Sequence, residues 1–534
     1  MLISQILYTF AENKMNMEQT FIKYPIGIQN FESLRREGYT YIDKTAMVWE
    51  LAHQGRYYFL GRPRRFGKSL LISTLQAYFE GKRELFEGLA IEQLEKEWKK
   101  YPILHMDLNA KQYNCREALI EILNMHLERW ESLYGDKYKN RSPEERFIHV
   151  IEAAYEQTGM PVVILVDEYD KPLTQNFENE ALQDELRGIL KAFYGVMKSC
   201  DRYIQFGFLT GVTKFSKVSV FSDLNNIRDI SMMSQYSTIC GITEQEIRHH
   251  LDSEVGKLAQ ANSISKDECY AKLRSQYDGY HFCEDSPGMY NPFSLINTLA
   301  NLKFSDYWFE TGTPTMLVNL LRQTNFNLSD IEEETVSADL LGSVDSISVN
   351  PIPVIYQSGY LTVKGYDKEF MEYHLGFPNE EVKRGFFNYL LPIYTNAQQD
   401  TTQFNIAKFV RELRCGQAET FMTRLQAMMA DTDYRIVGEA ELYFQNFLFV
   451  FFRLLGLYVE VERATSDGRT DMIVQTPRYI YIFEFKLNET AEKALRQIEE
   501  KQYARPFAID PRKLYKIGVN FSTRKRCVDD WTIA

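Results

Sequence analysis

Apolar positions in the first half of the chain fall into short blocks of alternating character. Tyr57–Leu60 is a compact apolar run, Gly61–Gly67 interrupts it, and Ser69–Phe79 resumes with apolar residues at helical spacing. Ile103–Leu108 reads as a strand, Ala118–Tyr134 and Pro143–Glu156 as helices, and Pro161–Val166 as a fully apolar strand that runs into acids. Ile204–Leu209 is a further strand. Strands and helices in this rhythm predict a parallel α/β sheet. Thr243–Leu302 is helical in pattern, broken by turn clusters at Asp278–Gly279 and Asp285–Gly288. Asp330–Pro353 reads as a polar, acidic connector, and Val382–Met429 as helical again. The C-terminal stretch changes character. A helix (Glu439–Leu455) precedes strand-like Tyr458–Glu462, Asp471–Gln475 and Tyr479–Phe485, then a helix (Glu492–Tyr503) and a last strand (Lys516–Asn520). The pattern predicts an N-terminal extension (1–20), an α/β domain (21–242), a mostly helical middle (243–430) and a second α/β domain (431–534).

Length agrees with this division, since 534 residues correspond to about three domains at roughly 150 residues each. The 34 Tyr and 35 Phe argue against disorder. A net charge of -12 excludes a generic nucleic-acid binder, which needs clustered Lys and Arg. The charge is uneven. Val437–Ala534 holds 15 Lys+Arg against 14 Asp+Glu, so the C-terminal domain is near neutral and compatible with DNA. Seven scattered Cys without a CxxC pair suit reduced thiols and no zinc site. Leu2–Phe10 is apolar but lacks a basic flank, so no signal peptide is expected, and Met15 or Met17 could be the true start. No run of about 18 apolar residues predicts a transmembrane helix. The expectation is a cytoplasmic protein without a membrane partner; oligomerisation stays open.

The interruption Gly61-Arg-Pro-Arg-Arg-Phe-Gly67-Lys68-Ser69 lies between a strand and a helix, where a P-loop belongs. Backbone N–H groups at Gly67 and the helix N-terminus would hold phosphate. Lys68 would reach the β/γ-phosphates of ATP and the Ser69 hydroxyl would bind Mg²⁺. The usual first glycine is replaced by Arg62, with Gly61 one residue early. A turn before an amphipathic helix would look similar, so a second element matters. The strand Val162–Val166 ends in Asp167-Glu168, and acids belong at the strand's C-terminal edge, where α/β ligand sites form. Asp167 would hold Mg²⁺ and Glu168 would polarise the attacking water. The plainer reading is a solvated strand end. Thr213, after the strand Ile204–Leu209, is a candidate for the γ-phosphate or the attacking water. Arg64, Arg65 and Arg228 are candidates for an arginine finger.

Near the C-terminus Asp471 precedes Glu484-Phe485-Lys486. Residues two apart in a strand share a face, so Glu484 and Lys486 point the same way. The turn at Thr476–Arg478 would bring Asp471 beside Glu484. Asp471, Glu484 and the Phe485 carbonyl are hard oxygen ligands suited to Mg²⁺ or Mn²⁺, with Glu441 on the preceding helix as a third acid. Lys486 would position a metal-activated water for phosphodiester hydrolysis. Spacing alone equally allows a Glu–Lys ion pair capping a hairpin.

The chain resembles bacterial AAA-ATPase-like proteins fused to a PD-(D/E)XK nuclease domain. The resemblance spans about Tyr24 to Trp531. It is carried by Tyr41-Ile-Asp-Lys-Thr45, Arg62-Pro-Arg-Arg-Phe-Gly-Lys-Ser69, Val166-Asp-Glu-Tyr-Asp170 and Leu209-Thr-Gly-Val-Thr213. Asn225-Asn226, Tyr277-Asp-Gly-Tyr280, Tyr290-Asn-Pro292, Gly468-Arg-Thr-Asp471 and Glu484-Phe-Lys486 extend it. Gln497-Ile498, Lys501 and Tyr503 match the helix that follows the nuclease motif. The resemblance implies nucleotide binding at Lys68 and Ser69, an arginine-rich loop as a family trait, and nuclease roles for Asp471, Glu484 and Lys486, with Glu441 and Gln497 supporting. Position alone puts Asp43 and Lys44 on the base or ribose side. Three readings compete: an ATP-regulated DNA nuclease, a nucleotide-dependent switch whose nuclease fold only binds DNA or protein, and a relic without activity. Intact Lys68, Asp167, Glu168, Asp471, Glu484 and Lys486 disfavour the last.

Overall fold

The computed structural model describes residues 22–215, 226–308 and most of 317–534; within the last range 318–319, 322–323, 325, 333–334, 343–349, 396–401, 430–439, 467–468 and 526 are not described. The expected N-terminal extension, Asn225, Gly468 and part of the Asp330–Pro353 connector lie outside the described residues. The chain divides into two compact units, one ending at Tyr307 and the other beginning at Trp308.

The first unit is built on strands β1 (Tyr57–Gly61), β2 (Ile103–Asp107), β3 (Val162–Asp167), β4 (Ile204–Gly211) and the short β5 (Arg228–Asp229). They form one parallel sheet in the order β2-β3-β4-β1-β5. β3 is buried along its whole length, as a strand covered on both faces must be. Two short helices, α1 (Phe31–Arg36) and α2 (Thr45–Gln54), precede β1. Around the sheet lie α3 (Lys68–Phe79), α4 (Arg116–Tyr134), α5 (Pro143–Thr158) and α6 (Glu180–Ser199). Leu71, Ile72, Leu75 and Phe79 of α3 share a buried face, and Phe79 lies 4.9 Å from Phe206 of β4. A capping box of Ser142 and Glu145 starts α5, and Phe147 stacks at 4.5 Å on Phe193 of α6. The sequence reading did not anticipate α6, although Leu186, Leu190, Phe193 and Met197 recur at helical spacing.

The two-residue strands β6 (Ile242–Thr243) and β7 (Met289–Tyr290) pair with one another and frame a helical group. It consists of α7 (Glu244–His250), α8 (Asp252–Ala261), α9 (Lys266–Tyr277) and α10 (Pro292–Asn301). Val255, Leu258, Leu273, Tyr277, Leu295 and Leu299 form its core, with Tyr24 and Ile42 packed against it. Thr243 with Glu246 and Ser265 with Glu268 cap α7 and α9.

The second unit contains a small antiparallel sheet, β8 (Thr335–Ser337), β9 (Thr362–Asp367) and β10 (Glu372–Gly376), in the order β8-β10-β9. Helices α11 (Glu380–Tyr394), α12 (Thr402–Arg414), α13 (Ala418–Met429) and α14 (Ala440–Gly456) follow. The helical reading of Val382–Met429 thus resolves into three helices. The last element is a mixed sheet ordered β11 (Glu460–Ser466), β12 (Arg469–Gln475), β13 (Tyr479–Leu487), β14 (Lys513–Ser522) and β15 (Cys527–Ile533). Only β13 and β14 are parallel, joined through helix α15 (Ala491–Glu500). Phe452 of α14 meets Phe483 and Phe485 of β13 at 5.6 and 5.9 Å. No helix among the described residues is long and apolar enough to cross a membrane.

Candidate functional site

The C-terminal ends of the parallel strands line one edge. The registers put Gly61 beside Gly211, Leu60 beside Thr210, Val166 beside Leu209 and Asp107 beside Asp167. From β1 the chain turns through Arg65, with φ 67°, and Gly67, with φ 95°, into α3. A side chain at Gly67 would be strained in that left-handed conformation. Lys68 opens the helix and is buried at 4% exposure. Its Nζ donates to the Arg62 carbonyl at 3.1 Å and the Pro63 carbonyl at 3.3 Å, and lies 3.7 Å from Glu168 Oε1. Ser69 is half-buried beside it.

Asp167 is buried, and its Oδ1 accepts hydrogen bonds from Thr210 Oγ1 at 2.6 Å and from the Glu168 amide at 3.1 Å. Glu168 sits at φ 54° with its side chain half-buried. A cation folded back over its own loop, a fixed carboxylate and a helix N-terminus form a donor set that fits a nucleotide phosphate with a hard divalent cation.

Thr213, placed by the sequence at the γ-phosphate or attacking water, is fully buried. Its amide and its hydroxyl each donate to Asp170 Oδ2 at 2.7 Å. Burial and the neighbouring Glu168 carboxylate push Asp170 up to about 6, against the opposing pull of the Thr213 hydrogen bonds and the Lys68 charge. Asp43 and Lys44 also have internal partners. Asp43 accepts from Thr45 and from the Ala90 amide, and Lys44 pairs with Glu246 at the start of α7.

Arg62, in the place of the usual first glycine, is 1% exposed. Its guanidinium donates to the carbonyls of Gly61, Ser231 and Tyr236 and lies 3.9 Å from the Phe282 ring centroid. Phe66 packs edge-on against Tyr280 and Phe282. Of the arginine-finger candidates, Arg64 and Arg228 are exposed, and Arg65 lies over Phe293 at 5.0 Å.

At the C-terminal sheet, β12 and β13 pair with Met472 opposite Phe483. That is the last recorded pair of the two strands, and Asp471 and Glu484 are the next residue on each; the Asp471 side chain is outside the described residues. Glu484 is fully buried and Lys486 nearly so. Lys486 Nζ donates to Glu484 Oε1 at 2.8 Å and to Gln497 Oε1 at 2.6 Å. Gln497 arrives there because the chain reverses at Asn488, with φ 55°, and Thr490 caps α15 so that the helix returns over the strand. Glu441, in the first turn of α14, is exposed and accepts from Gln445 at 3.4 Å. Among the described residues no group of three or more His, Cys, Asp or Glu side chains converges. The carboxylate oxygens at Glu484 and Asp471 are nonetheless the hard donors that Mg²⁺ or Mn²⁺ takes.

Sequence reasoning missed Thr210, Asp170, Asp107 and the cross-bracing by Arg62. Thr210 and Asp107 had a signal as polar residues at strand ends, and Asp170 as the last residue of the Val166–Asp170 motif.

The sheet order, with the loop strand β1 separated from the acid-bearing β3 by β4, and the glycine-lysine turn into α3 define a P-loop nucleotide-binding fold. The second unit ends in a nuclease-type mixed sheet. Residues 25–221 match a family model described as a predicted AAA-ATPase. Residues 439–531 match a family model of the PD-(D/E)XK nuclease superfamily. The chain is also 34% identical over 521 residues, 95% of its own length and 98% of the relative's, to a protein of Azotobacter chroococcum mcd 1. That relative bears the name "Uncharacterized protein in vnfD 5'region". The chain belongs to this family of AAA-ATPase-like proteins with a C-terminal PD-(D/E)XK nuclease superfamily domain.

Proposed function

We propose that this protein hydrolyses ATP at the edge formed by β1, β3 and β4, and cleaves DNA at Asp471, Glu484 and Lys486 under control of the nucleotide state. The observation that carries the reading is the convergence of Lys68 and Glu168, 3.7 Å apart, beside a fixed Asp167. Lys68 exchanges its loop carbonyls for the β/γ-phosphates, and the Gly67 turn presents backbone amides to the same oxygens. Ser69 and Asp167 would hold Mg²⁺, which when bound neutralises charge on the phosphate oxygens. Glu168 orients the attacking water and draws its proton away.

At the second site, Asp471 and Glu484, with the Phe485 carbonyl and Glu441, would hold Mg²⁺ or Mn²⁺, which when bound lowers the pKa of a water. Lys486, steadied by Gln497, positions that water against the phosphodiester. Burial of Glu484 and Lys486 supports an active site over a surface ion pair, because a buried pair adds little stability over apolar side chains of the same size.

The test incubates purified protein with DNA and RNA panels, with and without ATP and Mg²⁺ or Mn²⁺, and measures cleavage and phosphate release. Lys68→Ala should weaken ATP binding, whereas Glu168→Gln should keep binding and lose about a hundredfold in turnover. Asp471→Ala should abolish cleavage and leave phosphate release intact. Equal turnover in wild type and Glu168→Gln would sink the ATPase assignment. Metal-dependent binding of DNA without cleavage would favour the switch that only binds.

A further inference from the structure

Glu168 is a non-glycine residue in the left-handed region, a conformation that persists only when its surroundings over-determine it. On its N-terminal side, Asp167 is tied to Thr210. On its C-terminal side the Tyr169 amide donates to the Thr210 carbonyl at 3.0 Å. The Tyr169 hydroxyl donates to the Thr213 carbonyl at 2.9 Å and accepts from the Phe215 amide at 3.1 Å. Asp170 completes the hold, since its Oδ2 accepts from the Val212 amide at 3.1 Å and from both Thr213 donors at 2.7 Å.

Two features point to a role beyond stability. Asp170 Oδ1 is buried without a hydrogen-bond partner, an arrangement that costs free energy. Gly211 is required beside it, because a Cβ there would come within 2.8 Å of Asp170 Cγ. The Gly211 carbonyl in turn accepts from the Arg62 amide at 3.1 Å, so the anchored strand end is also bonded to the P-loop.

We propose that Asp170 is a positioning residue for ATP hydrolysis: by bonding the end of β4 through Val212 and Thr213, it holds the turn that aims Glu168 at the attacking water. The inference rests on the reading of Glu168 as the group that acts on that water. It assigns Thr213 an indirect part, as the donor that fixes Asp170.

The experiment compares full-length wild type, Glu168→Gln, Asp170→Ala, Asp170→Asn and Thr213→Val for ATP affinity, KM and kcat, with circular dichroism as the control for folding. Asp170→Ala should lose about a hundredfold in kcat while ATP affinity changes less than about threefold, as expected for a misplaced catalytic group. Asp170→Asn should stay within about fivefold of wild type, because its amide oxygen accepts from the same donors. Thr213→Val should fall in between, at about a tenfold loss. If Asp170→Ala does not fold, the Asn and Val variants decide the matter in the same way. Wild-type kcat in Asp170→Ala or Thr213→Val, or a loss in Asp170→Asn as deep as that in Asp170→Ala, would overturn the inference. Wild-type kcat in Glu168→Gln would instead overturn the underlying reading.

Discussion

Lys486 and Glu484 show what one buried ion pair demands of its neighbours. Their side chains are 2% and 0% exposed, so neither charge is relieved by water. Removing Lys486 takes from Glu484 the buried ammonium that its Oε1 accepts from. Lys486→Ala should therefore lower stability in metal-free buffer by about 3–5 kcal/mol, measured by urea titration. A change below about 0.5 kcal/mol, typical of a surface substitution, would contradict the buried pair. Bound Mg²⁺ or Mn²⁺ should recover part of the loss, because a cation at Glu484 takes over the role of the missing ammonium. Arg62 makes a related point. Its planar fork reaches three carbonyls and a ring face, which Lys could not reproduce.

Single elements bring these residues together. Helix α15 is pressed onto β14 at Gly518, where a Cβ would collide with the Ala491 carbonyl and come within 2.6 Å of the Leu495 amide. Both obstacles are backbone and cannot rotate away. Gly518→Ala should push α15 outward at a cost of about 1–3 kcal/mol and loosen the contact of Gln497 with Lys486. Thermal unfolding and DNA cleavage rates would both report it; wild-type values for both would show that the helix is not seated as described. The strongly amphipathic pattern of α15, with Ala491, Ala494 and Ile498 buried, was legible in the sequence. The closeness of its approach was not, since it depends on a glycine in a separate strand later in the chain.

At the scale of the whole molecule, the two proposed sites lie on separate compact units of one chain. An unregulated nuclease would endanger its host, so nucleotide state should govern DNA binding. Linkage makes the effect reciprocal: if ATP changes DNA affinity, DNA changes ATP affinity by the same factor. A typical coupling would appear as a roughly 5–150-fold shift. The measurement uses Asp471→Asn, which keeps the buried Glu484–Lys486 pair, and compares DNA affinity without nucleotide, with ADP and with a non-hydrolysable ATP analogue. Identical affinities in all three states would describe two independent modules.

Local chemistry determined the elements that chemistry alone can specify. The apolar run ending at Asp167, the glycine-lysine turn into α3 and the alternation around Glu484 and Lys486 each follow from periodicity and backbone preference within a few residues. These were enough for the parallel sheet, the turn into α3 and the C-terminal strands. Partnerships between distant segments needed the tertiary structure. Thr210 meets Asp167 across 43 positions, Arg62 meets Tyr236 across 174, and Asp170 meets Thr213 across 43. Thr213 reads as a candidate for the γ-phosphate from its place after a strand, a weak signal because threonines are frequent there; its burial against Asp170 depends on which strands became neighbours. No periodicity encodes that choice. The order of strands, decided by packing the whole sheet, sets which polar groups must satisfy each other once water is excluded.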